Sequence, residues 1–189
     1  MVGQPKYISK IKGKPFNLVS CGLDFAGKTA MFQYLLTGEM VEELEPTLDF
    51  NIDKFTLAGG LLEATIFDMG GHKSLRDQWY DKIMKADGIL YVVDANDLGR
   101  FNESKEEFHS RVLPIISDKP CCILANKYDL IIEKRQPKWP MALINSVSDE
   151  VKIALEIPIE DKPGQFKMIT TSMKNGLGLN KIFRFFLNF

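Results

Sequence analysis

Cysteine is scarce in this chain, with three among 189 residues. Cys21, Cys121 and Cys122 lie in apolar, strand-like runs, and neighbours on a strand face opposite sides of the sheet. That excludes a disulfide framework and leaves no convergent metal-ligand set; buried, reduced thiols in a cytoplasmic protein are the expectation. An excess of one charge is also lacking. Lys and Arg number 24 against 25 Asp and Glu, so no global field draws the chain onto nucleic acid. No apolar run approaches the roughly 20 residues that span a bilayer, and no secretory signal is visible. Internal repeats and low-complexity tracts are missing too. What remains, 45% hydrophobic residues, suffices for one domain with a substantial core.

The informative stretch is Gly22 to Thr29, which reads G-x-x-x-x-G-K-T. Successive backbone N–H groups of such a loop point at phosphate oxygens, and the lysine ammonium reaches the outer phosphates. Gly22 and Gly27 permit backbone angles and a close approach that a side chain blocks. The helix opening at Lys28 turns its positive end toward the anion, and Thr29 offers a hydroxyl to magnesium. The apolar run Phe16 to Cys21 before the loop, and Met31, Phe32, Leu35 and Leu36 at helical spacing after it, predict strand, loop and helix.

Further motifs follow in order. Pro46-Thr47 lies in a loop where the Thr47 hydroxyl can complete a magnesium shell. Asp49 to Leu57 and Leu61 to Phe67, joined by Ala58-Gly59-Gly60, predict an antiparallel hairpin. The second run leads into Asp68-Met69-Gly70-Gly71-His72, where Asp68 can hold magnesium through water and the Gly70 N–H can reach a terminal phosphate oxygen. Leu75, Trp79 and Ile83 predict a helix, with Trp79 equally suited to core or to a partner surface. Gly88 to Asp94 reads as a strand buried on both faces. Asn102 or Ser104 starts a helix through Phe108, Val112 and Leu113, on which His109 is a surface or packing residue.

Base recognition is expected after the next strand, Cys121 to Ala125. The Asp129 carboxylate offers paired acceptors to the N1–H and N2–H donors of guanine, a pair that adenine does not present. Asn126 can tie this loop to the phosphate loop, and the Lys127 stem can lie over the base. Ile131 to Pro140 reads as a surface loop. Met141, Ile144, Val147, Val151, Ala154 and Leu155 read as the core stripe of a helix. Phe166 to Thr170 is the last strand, after which backbone N–H groups at Ser172 and Met173 can meet the guanine oxygen. Leu179, Ile182, Phe183 and Phe186 close the chain as a helix on the sheet.

These motifs together resemble the small GTPases, and specifically the Arf/Sar family, from about Phe16 to the final helix. Gly22-Leu23-Asp24, Pro46-Thr47-Leu48-Asp49-Phe50, the Leu57-Ala58-Gly59 turn and Trp79 carry the likeness. His72 leans toward the Sar type, since Arf members usually have glutamine there. The resemblance implies an α/β fold with a mostly parallel six-stranded sheet, one antiparallel hairpin and helices on both faces. It implies that GTP, GDP and Mg2+ are bound by Leu23, Asp24, Phe25, Ala26, Gly27, Lys28, Thr29 and Ala30, with Thr47, Gly70 and Gly71 on the phosphate side. Asn126, Lys127, Asp129, Ser172 and Met173 fall on the base side, the last two loosely because Thr171-Ser172-Met173 departs from the usual Ser-Ala-Lys. Metal contact falls to Thr29, Thr47 and Asp68.

Catalysis falls to His72, which orients the attacking water by one hydrogen bond, with Lys28 and Gly71 beside it. Hydrolysis should be slow without an activating protein that supplies an arginine. Implied partners are GTPase-activating and nucleotide-exchange proteins and coat or tether effectors. The hairpin is expected to shift register between GDP and GTP states, displacing the N-terminal segment and presenting Phe50, Phe67 and Trp79.

Residues 1–14 form a short basic amphipathic arm ahead of a nucleotide-binding domain at 15–189. Its two isoleucines and one tyrosine bury too little surface to anchor it alone. Val2 replaces the glycine of myristoylation, and no C-terminal cysteine offers prenylation. A peripheral membrane contact in the GTP state and a solvated or groove-packed arm are both open. Two rivals to the hydrolytic switch remain: a GTP-sensing interaction module disabled at His72, and a P-loop kinase or ATPase that prefers adenine.

Overall fold

The computed structural model describes residues 16–37, 39, 47–57, 62–159 and 161–188. The arm at 1–14, Pro46, most of the acidic stretch before it and the glycine turn at 58–60 lie outside the described residues.

Strands β1 (Phe16–Cys21), β2 (Phe50–Leu57), β3 (Leu62–Met69), β4 (Gly88–Asp94), β5 (Cys121–Asn126) and β6 (Phe166–Thr170) form one sheet in the order β2-β3-β1-β4-β5-β6. β2 and β3 pair antiparallel, and the other neighbours pair parallel, as expected. A parallel sheet needs cover on both faces because its connections cross over as helices. The helices are α1 (Lys28–Thr37), α2 (Trp79–Lys85), α3 (Phe101–Glu107), α4 (Tyr128–Arg135), α5 (Leu143–Leu155) and α6 (Leu179–Asn188).

The strand period of two divides the core between the faces. Val19, Tyr91, Cys121 and Ile123 pack with Trp79 and Ile83 of α2, Phe108 and Val112 after α3, and Val147, Val151 and Leu155 of α5. Leu18, Leu90, Cys122 and Leu124 pack with Met31 and Phe32 of α1 and Leu179, Ile182 and Phe186 of α6. The three thiols are free and buried, with Cys121 and Cys122 on opposite faces. Burial pushes the Cys21 thiol up to about 12 and so keeps it neutral. Among the described residues no helix is long and apolar enough to cross a membrane.

Several local expectations need correction. Residues 131–135, read as loop, continue α4, which buries only Tyr128 and Ile131. Two positive-φ residues bracket that helix, Lys127 at 65° and Gln136 at 42°. Met141 is exposed in a separate 3-10 turn, Pro140–Ala142, so the core stripe of α5 begins after it. The helix from Phe101 starts before Asn102 and widens into a π-helical turn at Phe108–Val112. His109 packs edge-on against Phe108, and its Nε2 lies 2.8 Å from the Leu155 carbonyl oxygen, a packing role as read.

Trp79 is wholly buried, and its indole Nε1 donates to the Gly70 carbonyl at 2.9 Å. It is core here rather than a presented surface. Its removal opens a large cavity and orphans the Gly70 carbonyl. Trp79→Ala is therefore expected to cost about 3–5 kcal/mol, read as a lower midpoint in urea unfolding followed by circular dichroism. A shift below about 1 kcal/mol would place Trp79 outside the core.

Candidate functional site

Parallel register fixes where the strand ends fall. Ser20 lies beside Asp68, Asp94 beside Asn126, and Ala125 beside Thr170. The loops that follow β1, β3, β5 and β6 thus leave the sheet along one edge, where ligands of open α/β sheets bind.

The loop after β1 is shaped by close approach. Gly22 has φ 135°, and a Cβ there would sit 2.2 Å from the Val92 carbonyl oxygen. Gly27 has φ 92°, and its Cβ would sit 2.3 Å from Asn126 Nδ2. Phe25 also takes a positive φ, 60°, with its ring out in solvent. Leu23 and Ala26 are buried, whereas Asp24, Gly27 and Ala30 are partly covered. Lys28 is 5% exposed, and its ammonium donates to the Leu23 carbonyl at 2.7 Å. Burial pulls that ammonium down to about 8, against the pull of the Asp68 and Asp24 carboxylates.

Three oxygen-bearing side chains meet at the start of α1. Thr29 Oγ1 donates to Asp68 Oδ2 at 2.8 Å and lies 2.9 Å from Thr47 Oγ1. Thr29 spends its proton on the carboxylate, so Thr47 donates to Thr29. Asn51 Nδ2 also reaches Asp68 Oδ2, at 3.4 Å. Asp68 is wholly buried, and its Oδ1 has no hydrogen-bond partner among the described residues. Burial raises the Asp68 carboxyl, with the Thr29 hydrogen bond and Lys28 opposing. Two hydroxyls and a buried carboxylate with an unused oxygen fit a hard divalent cation, which takes oxygen ligands and completes its shell with phosphate and water. Among the described residues no cluster of three or more His, Cys, Asp or Glu gathers for a metal; the donor set suits magnesium at a phosphate.

The segment after β3 lies across the phosphate loop. A Cβ on Gly71 would meet Asp24 N at 2.4 Å and Lys28 Nζ at 2.5 Å. The Gly70 N–H, expected at a phosphate, donates instead to the Asp49 carbonyl at 2.9 Å. His72 stands exposed, and its Nδ1 lies 3.0 Å from Ser74 Oγ; it is not among the groups gathered at Thr29.

At the other end, Asn126 Nδ2 donates to the Ala26 carbonyl at 2.9 Å, the tie expected from the sequence. Thr171 Oγ1 donates to Asn126 Oδ1 at 3.2 Å. Lys127 Nζ pairs with Asp94 Oδ2 at 2.7 Å, which fixes the direction of its stem. Ser172 Oγ donates to Asp129 Oδ1 at 2.6 Å and so orients the carboxylate. The Ser172 N–H is committed to the Leu177 carbonyl at 3.2 Å, so Ser172 contributes its hydroxyl rather than the expected amide. Met173 is buried beside it.

Sequence reasoning read Thr171 only as part of the base-side stretch, and it missed Asn51 and Asp94, and also Arg76, whose Nε donates to the Gly71 carbonyl at 2.8 Å. None carries a local sequence pattern; each is found by spatial contact alone.

Comparison with known proteins places this arrangement. The chain is 38% identical over 138 residues to an ADP-ribosylation factor of Encephalitozoon cuniculi (strain GB-M1), covering 72% of this chain and 63% of that protein. It is 39% identical over 127 residues to ADP-ribosylation factor-like protein 13B of Chlamydomonas reinhardtii, covering 66% of this chain and 23% of that one. The chain thus spans only part of the length of either relative. Its fold matches the Arl6 BBS3 small GTPase from Trypanosoma brucei, solved with the bound nucleotide analogue GppNp, with a TM-score of 0.65 and 23% identity over 93% of this chain and 96% of that one. A model of the ADP-ribosylation factor (Arf) family matches residues 5–185, and with four phosphate- and base-site motifs at one edge of such a sheet, the chain belongs to the Arf family.

Proposed function

We propose that this protein is a guanine-nucleotide switch that binds GTP with Mg2+ and hydrolyses it slowly to GDP and phosphate. The observation that carries the reading is Asp129, held by the Ser172 hydroxyl at the edge where the Asn126 amide grips the phosphate loop. One carboxylate is thereby aimed from a rigid site, and it complements guanine and not adenine. This disfavours the kinase or ATPase reading. Residues 15–189 form the nucleotide domain in this proposal, and 1–14 a separate arm.

Roles follow from the chemistry of each group. Lys28 and the amides from Leu23 to Ala30 take the phosphates. Thr29, Thr47 and Asp68 hold Mg2+, which when bound neutralises phosphate charge. Gly70 reaches the terminal phosphate only by releasing the Asp49 carbonyl, and Gly71 moves with it off the loop. His72, exposed beside Ser74, then swings toward the site and orients the water, a substitution of the Sar type. The same movement loosens Trp79 from the Gly70 carbonyl and reshapes the surface around Phe50 and Phe67, where coat or tether effectors bind. Activating and exchange proteins set the rates, and the arm at 1–14 brings the GTP form to a membrane.

Each part has its own measurement. Asp129→Asn should lower GTP affinity by about two orders of magnitude or more and shift preference to xanthine nucleotides in competition titrations; unchanged GTP affinity removes Asp129 from the site. His72→Ala should slow single-turnover GTP hydrolysis by about a hundredfold. Equal rates for the two proteins favour the interaction module that binds without hydrolysing. Liposome co-sedimentation should be stronger with a GTP analogue than with GDP and disappear when residues 1–14 are deleted, whereas equal sedimentation in both states assigns the arm no membrane role.

A further inference from the structure

The site borders a cluster of charges that none of the roles above uses. Arg76 is 1% exposed. Its Nη1 donates to Glu107 Oε1 at 2.9 Å, and its Nη2 to Glu103 Oε1 at 2.8 Å and Asp24 Oδ1 at 3.4 Å. Arg100, half-covered at the start of α3, clasps Asp24 twice, with Nη2 2.7 Å from Oδ1 and Nη1 3.1 Å from the backbone carbonyl. Arg100 Nε also donates to Glu103 Oε2 at 2.9 Å. Arg111 closes the array by pairing with Glu107 at 2.6 Å and with Asp77.

Asp24 is the odd member, because its carboxylate belongs to a loop whose work is to gather anions. The position of that residue along the loop matters. Asp24 N and Lys28 Nζ face Gly71, the end where a terminal phosphate belongs, while Ala26 and Gly27 face Asn126 at the base-recognition end. An uncompensated carboxylate at the Gly71 end repels a triphosphate more than a diphosphate, since the extra phosphoryl group lies nearest to it.

We propose that Arg100, with Arg76 behind it, is a positioning residue that offsets the Asp24 charge and fixes the loop backbone there, and thereby sets the preference of the site for triphosphate over diphosphate. The inference rests on the guanine-nucleotide reading above. Three features of the contacts support it. Arg100 holds both the side chain and the backbone carbonyl of Asp24, so it fixes the charge and also the Asp24–Phe25 peptide, next to the one whose N–H faces the Gly71 end. Glu103 bridges Arg76 and Arg100, which orients both guanidinium groups without freeing either from Asp24. The Asp24 carboxyl, which burial pushes up, is nonetheless held below its usual range by the Arg100 hydrogen bond and by the charges of Arg100 and Arg76; it is fully ionised at neutral pH, and its compensation is therefore needed.

The test is competition between GDP and a non-hydrolysable GTP analogue, each with magnesium, on the full chain. Arg100→Gln should lower the ratio of analogue affinity to GDP affinity about tenfold, and Asp24→Asn added to it should restore the ratio. Arg100→Lys, which keeps the charge but loses the two-pronged geometry, should fall between. If Arg100→Gln does not fold by circular dichroism, Arg100→Lys with and without Asp24→Asn carries the comparison, with a drop of about threefold and its rescue expected. A ratio unchanged in the Arg100 variants, or a double variant as impaired as the single, overturns the proposal, because a merely structural arginine weakens both nucleotides alike. A wild-type chain that binds neither nucleotide overturns the guanine-nucleotide reading itself, and one that binds both while Arg100→Gln keeps the ratio overturns only the role of Arg100.

Discussion

One buried amide holds the two ends of the site together. Asn126 donates to Ala26 a hundred residues away and accepts from Thr171, so a single side chain joins the loops that follow β1, β5 and β6. β1 and β5 are not neighbours, since β4 runs between them, and no ladder hydrogen bond sets the distance between their loops. The amide sets it instead. Its fit needs a residue without Cβ at Gly27, which gives that glycine a packing reason beyond its positive φ. At 2% exposure an unpaired amide at this position costs about 1–3 kcal/mol, so the loops are held where all three partners are satisfied.

That dependence explains what was legible in the chain and what was not. The phosphate loop could be read because its eight residues are contiguous and its chemistry is mostly backbone, which glycines at fixed spacing dictate. Asp68 and Asn126 were legible because each stands at the end of an apolar strand, and Asp129 because it follows Asn126 by three residues, in the first turn of α4. The Arg76 and Arg100 array had no such signal. Its members come from the loop after β1, the turn before α2 and the helix α3, and nothing local distinguishes a buried arginine from a solvated one. Composition misled at 131–135, where polar and basic residues suggested loop. A helix that buries only Tyr128 and Ile131 leaves the rest of its surface to solvent, so its apolar stripe is too narrow to read. Trp79 was undecidable for a related reason, since an aromatic at helical spacing serves core and surface equally until the packing is known.

The segment after β3 shows how local bonds join the site to the rest of the fold. Gly70 is engaged on both sides, its N–H by Asp49 and its carbonyl by Trp79. A Cβ there would collide with Leu75 Cδ1 at 2.6 Å and the Asp49 carbonyl oxygen at 2.9 Å. Asp49 immediately precedes β2, and Trp79 opens α2. Any displacement of Gly70 therefore pulls at the first residue pair of the hairpin, Phe50 and Met69, and at the first turn of α2. Lys82 of that helix lies over both rings, 3.9 Å from the centre of Phe50 and 5.0 Å from that of Phe67, so helix and hairpin share a contact that feels the same displacement. Gly70 and Lys82 thus both tie the hairpin to α2.

The energetics of the site point the same way as its geometry. Lys28 and Asp68 are both buried, and burial moves their pKa values in opposite directions, the ammonium down and the carboxyl up. Each shift is a measure of charge that the protein interior solvates poorly. Each charge offsets the other's shift only in part, since Lys28 spends a hydrogen bond on the Leu23 carbonyl and Asp68 leaves Oδ1 without a partner among the described residues. On the proposed function, a polyphosphate would add negative charge beside Lys28 and a divalent cation would add positive charge beside Asp68, relieving the penalty that remains in each. In the proposed guanine-nucleotide reading such opposed penalties would favour joint binding of cation and phosphate, and Thr29, bonded to Asp68 and one residue from Lys28, is the point at which the two halves would meet.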